Sequence, residues 1–243
     1  TLERVIGLSS EPHCVSVSSE GQIYVGLRNR VEVFDQAGER IASWEPLGER
    51  SFLSSIVVAK DDVFVADAGS AVVLRYDKAG KLIGRIGEKD PQRNIPGFLV
   101  PSPYFDLGVA PDGLLRVVSP GRTRVEAYTF DGDLEFFWGE NSIRIKGFCG
   151  CCNPVNIAML PDGSYVTAEK GLIRVKIYDP DGTFVGVVAG PDQLVKGGAA
   201  RVFESAADAE ASGFDVAVDA KGRVIVLDTI ENTVRVFVRK EKG

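Results

Sequence analysis

One histidine and one methionine are all that the 243 residues hold of those two types. A single imidazole, His13, rules out a histidine-rich metal site and leaves little room for a Ser-His-Asp arrangement. No GxSxG elbow, P-loop or HExxH motif occurs either, so the common hydrolase, nucleotide-binding and metalloprotease signatures are missing. No apolar run approaches the roughly 18 residues that cross a bilayer as a helix, so no transmembrane helix is expected. Lys and Arg are scattered and the net charge is −6. A phosphate-binding stripe is therefore missing, and nucleic acid is not an expected partner. The sole methionine is Met159, whereas the chain opens on Thr1. A translated product needs an initiator, so removal of an export signal is expected, placing the protein in the periplasm or outside the cell; a trimmed product is the other reading.

The composition, 44% hydrophobic and 26% charged, is that of an ordinary globular chain. Comparing the sequence with itself exposes a repeat of about 50 residues. Copies run from Pro12 to Trp44, Leu53 to Gly87, Phe105 to Gly139, Pro154 to Gly190 and Phe214 to Phe237. A full copy holds four short apolar runs; in the fourth these are Ile157–Leu160, Tyr165–Ala168, Ile173–Tyr178 and Phe184–Val188. Between them stand turn signals such as Pro161-Asp162-Gly163 and Asp181-Gly182, where glycine supplies the positive φ of a tight hairpin. Runs of this length, alternating and β-branched, read as strands. Four antiparallel strands per copy make a blade, so the fold class is an all-β β-propeller forming a single domain over residues 1–243.

The fifth copy lacks its last strand. Leu2-Glu3-Arg4-Val5-Ile6-Gly7 resembles Lys81–Gly87 of the second copy, so the N-terminal strand is expected to complete the last blade and remove an open sheet edge. Five blades are readable, and six is the alternative. Three intervening segments are long: Glu88–Tyr104, Glu140–Asn153 and Pro191–Gly213, the last with a candidate short helix at Ala206–Ala211.

Aligning the first strand of each copy places Cys14, Ser55, Asp106, Asn156 and Asp215 at equivalent starts. The alternating large residues after them, from Val15 and Val17 to Val216 and Val218, are expected between blades. The small set Ser16, Val57, Gly108, Ala158 and Ala217 is expected to line the axis. Ser55, Asp106, Asn156 and Asp215 offer hard oxygen ligands that suit Ca²⁺ or Mg²⁺ at the channel mouth, or a small ligand; ordered water is the plainer alternative. Cys149, Cys151 and Cys152 precede the fourth inner strand and Cys14 begins the first, so all four are expected at one end of the channel. Four thiolates could hold zinc or an iron–sulfur cluster, and in an exported protein disulfides are the alternative. His13 is expected at the rim. Asp67, Glu169 and Asp228 occupy equivalent positions after the second strand and are expected to be turn formers.

Val65-Ala66-Asp67, followed by Val72–Asp77 and Gly80, with Pro-led inner strands, resembles the NHL-repeat family of propellers. The Phe-Cys-Gly-Cys-Cys-Asn-Pro phrase at 148–154 is similar to one in exported bacterial members of that family. The resemblance implies a binding or interaction module, usually six-bladed, with a protein partner and a place in a larger assembly. In shape the repeats also resemble gluconolactonase and paraoxonase propellers, which implies that Asp106, Asn156 and Asp215 would hold a divalent cation for lactone or ester hydrolysis. A cysteine-ligated electron-transfer centre is the remaining reading.

Overall fold

In the computed structural model the residues described are 4–150, 152–195, 213–229 and 231–240. They form five antiparallel sheets, each a simple meander. The first sheet is β1 (Cys14–Val17), β2 (Ile23–Gly26), β3 (Val31–Phe34) and β4 (Arg40–Ser43). The second is β5 (Leu53–Ala59), β6 (Asp62–Asp67), β7 (Val72–Asp77) and β8 (Leu82–Ile86). The third is β9 (Leu107–Val109), β10 (Leu115–Ser119), β11 (Arg124–Tyr128) and β12 (Leu134–Trp138). The fourth is β13 (Asn156–Met159), β14 (Tyr165–Glu169), β15 (Arg174–Tyr178) and β16 (Phe184–Ala189). The fifth is β17 (Asp215–Val218), β18 (Val224–Asp228) and β19 (Thr233–Phe237), three-stranded among the described residues. Among the described residues helix is confined to single turns at Pro120–Arg122 and α1, Pro191–Leu194, and no helix there is long and apolar enough to cross a membrane. The candidate helix Ala206–Ala211 lies outside the described residues.

Contacts divide the chain into two compact units, Thr1–Phe98 with Phe130–Leu134, and Leu99–Thr129 with Glu135–Gly243. Within each, consecutive sheets meet by one rule. Because side chains alternate along a strand, a sheet has two faces. The face bearing the first and third inner-strand residues meets the next sheet's face bearing the second and fourth. In the first unit Tyr24, Val31 and Val33 pack on Ile56, Val65 and Leu74. In the second unit a Cβ on Gly108 would lie 2.2 Å from Met159 Cε, and Val166, Ala168 and Val175 pack with Val216, Val224 and Val226. Gly108 and Ala158, at third inner-strand positions, therefore serve close sheet-to-sheet packing within the second unit where the sequence alone suggested an axis lining, whereas Ala217 is exposed.

The turn between the third and fourth strands supports these junctions. Asp35, Asp77 and Asp179 each accept a backbone N–H four residues on, at 2.9, 2.9 and 2.7 Å. The fourth residue of each turn is a glycine at positive φ: Gly38, Gly80 and Gly182. An added Cβ would lie 2.4 Å from Trp44 Cδ1 at Gly80 and 2.3 Å from Trp138 Cγ at Gly182, so each tryptophan fills the space that glycine leaves. Ile86 sits beside Gly132, and Ile6 beside Gly38, in the same relation. Of the expected closing strand Leu2–Gly7, the first two residues lie outside the described residues. Ile6, and Leu8 just after it, pack on Val25, Leu27 and Phe34 of the first sheet.

Gly182→Ala adds a left-handed alanine and a collision with Trp138, and should cost about 2–4 kcal/mol. Gly113 has a matching φ of +81° and open space around it. Gly113→Ala should therefore cost only the conformational part, about 1–2 kcal/mol, and urea unfolding of the two variants measures the difference.

Candidate functional site

The segment from β12 to β13, residues 139–155, runs largely outside any ladder, so its carbonyl groups must find donors elsewhere. Several come from the segment itself: Ser142 N–H donates to Phe148 O and Phe148 N–H to Glu140 O, each at 2.9 Å, Gly147 N–H to Arg144 O at 3.2 Å, and Asn153 Nδ2 to Cys149 O. Others come from one face of the fourth sheet. Lys176 Nζ donates to Gly147 O at 2.7 Å and Ile145 O at 3.2 Å, and meets Glu169 Oε1 at 2.8 Å. Arg174 clamps Glu169 through Nε at 3.0 Å and Nη2 at 2.7 Å, and reaches Gly147 O at 3.3 Å. Glu169 Oε2 accepts the Cys149 N–H at 2.8 Å. Tyr178 O–H donates to Lys146 O at 3.1 Å. The register sets this up, since Glu169 pairs with Arg174 and Thr167 with Lys176 on the same face.

Glu169 and Lys176 are wholly removed from solvent. The three ammonium protons of Lys176 find three acceptors, and its charge lies 4.6 Å from the Phe148 ring centre and 5.1 Å from that of Tyr178. Burial pulls the Lys176 ammonium below the usual lysine range, while Glu169 opposes the shift. Burial also raises the Tyr178 hydroxyl above the usual range, with Glu169 adding to it. A fully bonded buried cluster of this kind is rigid, because losing any one member strands the others without water.

The loop fixed in this way carries apolar side chains outward. Ile143 is 82% exposed and Ile145 40%. On β12 Phe137 is 53% exposed, with the Arg124 guanidinium 3.8 Å above its ring. The same loop holds Cys149, its amide tied to Glu169, and Cys152, both half-buried; Cys151 lies outside the described residues. Cys14, in the other unit, pairs across the ladder with Gly26. A Cβ at Gly26 would come within 2.3 Å of the Cys14 sulfur, so glycine there makes room for the thiol.

The inner-strand starts of the second unit are linked in series. Asp106 accepts Leu107 N–H at Oδ1 and, from the next sheet, Ile157 N–H at Oδ2, each at 2.8 Å. Asn156 Nδ2 donates to Phe214 O at 2.8 Å. Asp215 Oδ1 accepts Val216 N–H at 2.8 Å. Solvent reaches Asp215, yet protein crowds its carboxyl, and desolvation raises its pKa above the usual aspartate value against the pull of that amide. In the first unit Ser55 is buried and Cys14 packs against Leu53 and Ile56. Among the described residues no three of His, Cys, Asp and Glu gather closely enough to hold a metal ion. Two of the expected turn acids behave as such. Asp67 accepts the N–H groups of Phe52, Gly69 and Ser70, and Asp228 accepts that of Glu231 while pairing with Arg235. Glu169, one methylene longer, reaches the cysteine loop instead. His13 is exposed and its ring lies 4.5 Å from that of Phe52.

Lys176→Met takes the ammonium from Ile145 O, Gly147 O and Glu169, leaving Gly147 O with Arg174 alone and Glu169 with Arg174 and the Cys149 amide. It should lower stability by about 3–5 kcal/mol in urea unfolding, with faster amide exchange confined first to residues 145–149. Asp215→Asn keeps the amide bond and removes a carboxylate whose ionisation is disfavoured. Since the folded pKa lies above the unfolded one, the ionised carboxylate costs stability at neutral pH, and the cost fades as pH falls through the folded pKa. The variant should therefore melt higher than wild type at pH 7, by a margin that closes toward the ordinary aspartate range.

No family model and no curated protein matches the chain. Solved structures do. A catalytically inactive virginiamycin B lyase from Staphylococcus aureus, with quinupristin, superposes with a TM-score of 0.62 at 13% identity over 95% of this chain and 71% of that one. A protein of unknown function from Bacteroides caccae gives 0.60 at 13% identity, over 90% and 70%. Hydrazine synthase from Kuenenia stuttgartiensis gives 0.56 at 13% identity, over 96% and 69%. At such identities the similarity is one of fold, and the fold is an all-β propeller built from antiparallel blades.

Proposed function

We propose that the chain is an exported propeller module of the NHL-repeat type that binds a protein partner within a larger assembly, and that residues 140–149 are its contact element. The observation that carries this reading is the pairing of a main chain fixed by buried Lys176, Arg174 and Glu169 with Ile143 at 82% exposure. An apolar side chain left in water gains by burial against a partner, about 2 kcal/mol for one isoleucine. A backbone already immobilised loses little further freedom when it binds. Arg144 and Lys146 flank the isoleucines and suit a partner patch that is apolar at its centre and acidic at its edge.

Asp106 and Asn156 support the same reading from the other side, since their polar groups are engaged in bonds between neighbouring sheets. The lyases that share the fold act on their own substrates; at 13% identity they lend this chain an architecture and no chemistry.

Capture from extracts of the source cells with immobilised wild type and Ile143→Glu, followed by mass spectrometry, tests the proposal. A partner retained by wild type and reduced at least tenfold by Ile143→Glu, at equal melting temperature, is the expected result. Equal capture by both proteins, or by neither, overturns it.

A further inference from the structure

The acid that ends the second strand of three sheets sits at one register throughout. Asp67 pairs across the ladder with Val72, Glu169 with Arg174 and Asp228 with Thr233. Two residues further along the third strand, on the same face, stand Leu74, Lys176 and Arg235. In the fourth and fifth sheets that residue is a cation and it neutralises the acid. Lys176 Nζ lies 2.8 Å from Glu169 Oε1, and Arg235 Nη2 lies 2.7 Å from Asp228 Oδ2. In the second sheet it is a leucine. Asp67 is nevertheless buried almost as deeply, at 2% exposure against 0% for the other two. Its Oδ1 accepts the N–H groups of Phe52, Gly69 and Ser70 at 2.9, 3.1 and 3.2 Å. Its Oδ2 has no partner among the described residues. A buried carboxylate with an oxygen left unbonded carries a cost that its two counterparts avoid.

Asp67 and Leu74 line a cleft of about 360 Å³ that lies wholly within the first unit. That size falls in the range of roughly 300–1,000 Å³ in which small organic molecules bind. Leu47 and Leu74 supply its apolar lining. Ser51, also in the lining, is 4% exposed, and its hydroxyl bonds no described group. Arg50 and Arg85 bring positive charge. Arg85 meets Glu88, itself 56% exposed, at 2.7 Å, whereas Arg50 is exposed and has no ion pair among the described residues. Glu49 is the other acid of the lining; it is exposed, so water solvates it as it does not solvate Asp67.

We infer that this cleft binds a zwitterionic amino acid with an apolar side chain. The ammonium group of the ligand meets Asp67 Oδ2 as Lys176 meets Glu169, and so takes the place of the cation that Leu74 does not provide. The carboxylate meets Arg50, a charge-assisted contact that suits a planar guanidinium. The apolar side chain rests on Leu47 and Leu74. An amine without a carboxylate would leave Arg50 unanswered and face the repulsion of two arginines. An acid without an ammonium group would leave Asp67 as it is.

Titration calorimetry with leucine, N-acetyl-leucine and leucinamide tests this. Leucine should bind the wild-type chain with a dissociation constant on the order of 1 mM or below. N-acetyl-leucine, which lacks the ammonium group, and leucinamide, which lacks the carboxylate, should each bind at least tenfold more weakly. Asp67→Asn keeps an oxygen for the three backbone amides and removes the charge. Leu74→Lys places within the chain the cation that the other sheets possess. Each variant should weaken leucine binding at least tenfold with circular dichroism unchanged. If Leu74→Lys does not fold, Arg50→Gln, at an exposed position, takes its place with the same expected loss. No saturable heat with leucine, an affinity unchanged in Asp67→Asn, or a blocked analogue that binds as tightly as leucine overturns the inference.

Discussion

Alternation of side chains along a β-strand gives each sheet of this protein two apolar faces, and neither can be left in water without loss. Most other features of the structure follow from how those faces are covered. Inner strands carry large residues at the second and fourth positions and small ones at the first and third, so a thick face meets a thin one. Glycine at 108, with the methyl of Met159 in its place, is the closest of these approaches. Tryptophans 44 and 138 close the outer end of a junction by lying over glycines 80 and 182. The same need explains the path of the N-terminal segment, whose Ile6 and Leu8 cover part of the first sheet.

Where a connecting segment replaces a sheet as the cover, apolar packing alone is insufficient because its backbone brings unpaired carbonyl groups. The fourth sheet answers with charge. Lys176 and Arg174 are the donors, Glu169 balances one of the two positive charges and fixes the Cys149 amide, and the carbonyls of 145–147 complete the shell. Burial of such groups is tolerable only because each has partners. The consequence is a loop with the rigidity of the sheet below it, and rigidity is what makes an exposed Ile143 useful for recognition.

Strands and turns were legible in the sequence because they rest on local chemistry: four-to-six-residue β-branched runs, Asp-x-x-Gly turns and their spacing. The equivalence of Asp67 and Asp228 as turn acids was legible for the same reason. Glu169 was not, since its role depends on a loop 20 residues earlier and on two cations across the ladder. Lys176 carried no signal at all, as an alternating strand with a lysine reads as half-exposed. Asp106, Asn156 and Asp215 were picked out as a set, and they do recur at equivalent places. What sequence could not supply was the direction of their polar atoms: Asp106 and Asn156 bond the backbone of the next sheet, and Asp215 bonds the Val216 N–H of its own strand.

The central claim, that buried charge holds the loop after β12 as firmly as the sheet below it, is tested most directly by hydrogen exchange at the Phe148 and Cys149 amides compared with those of β15. The loop amides should exchange about as slowly as those of β15. Exchange at 148 and 149 that is fast while β15 stays slow would contradict the account.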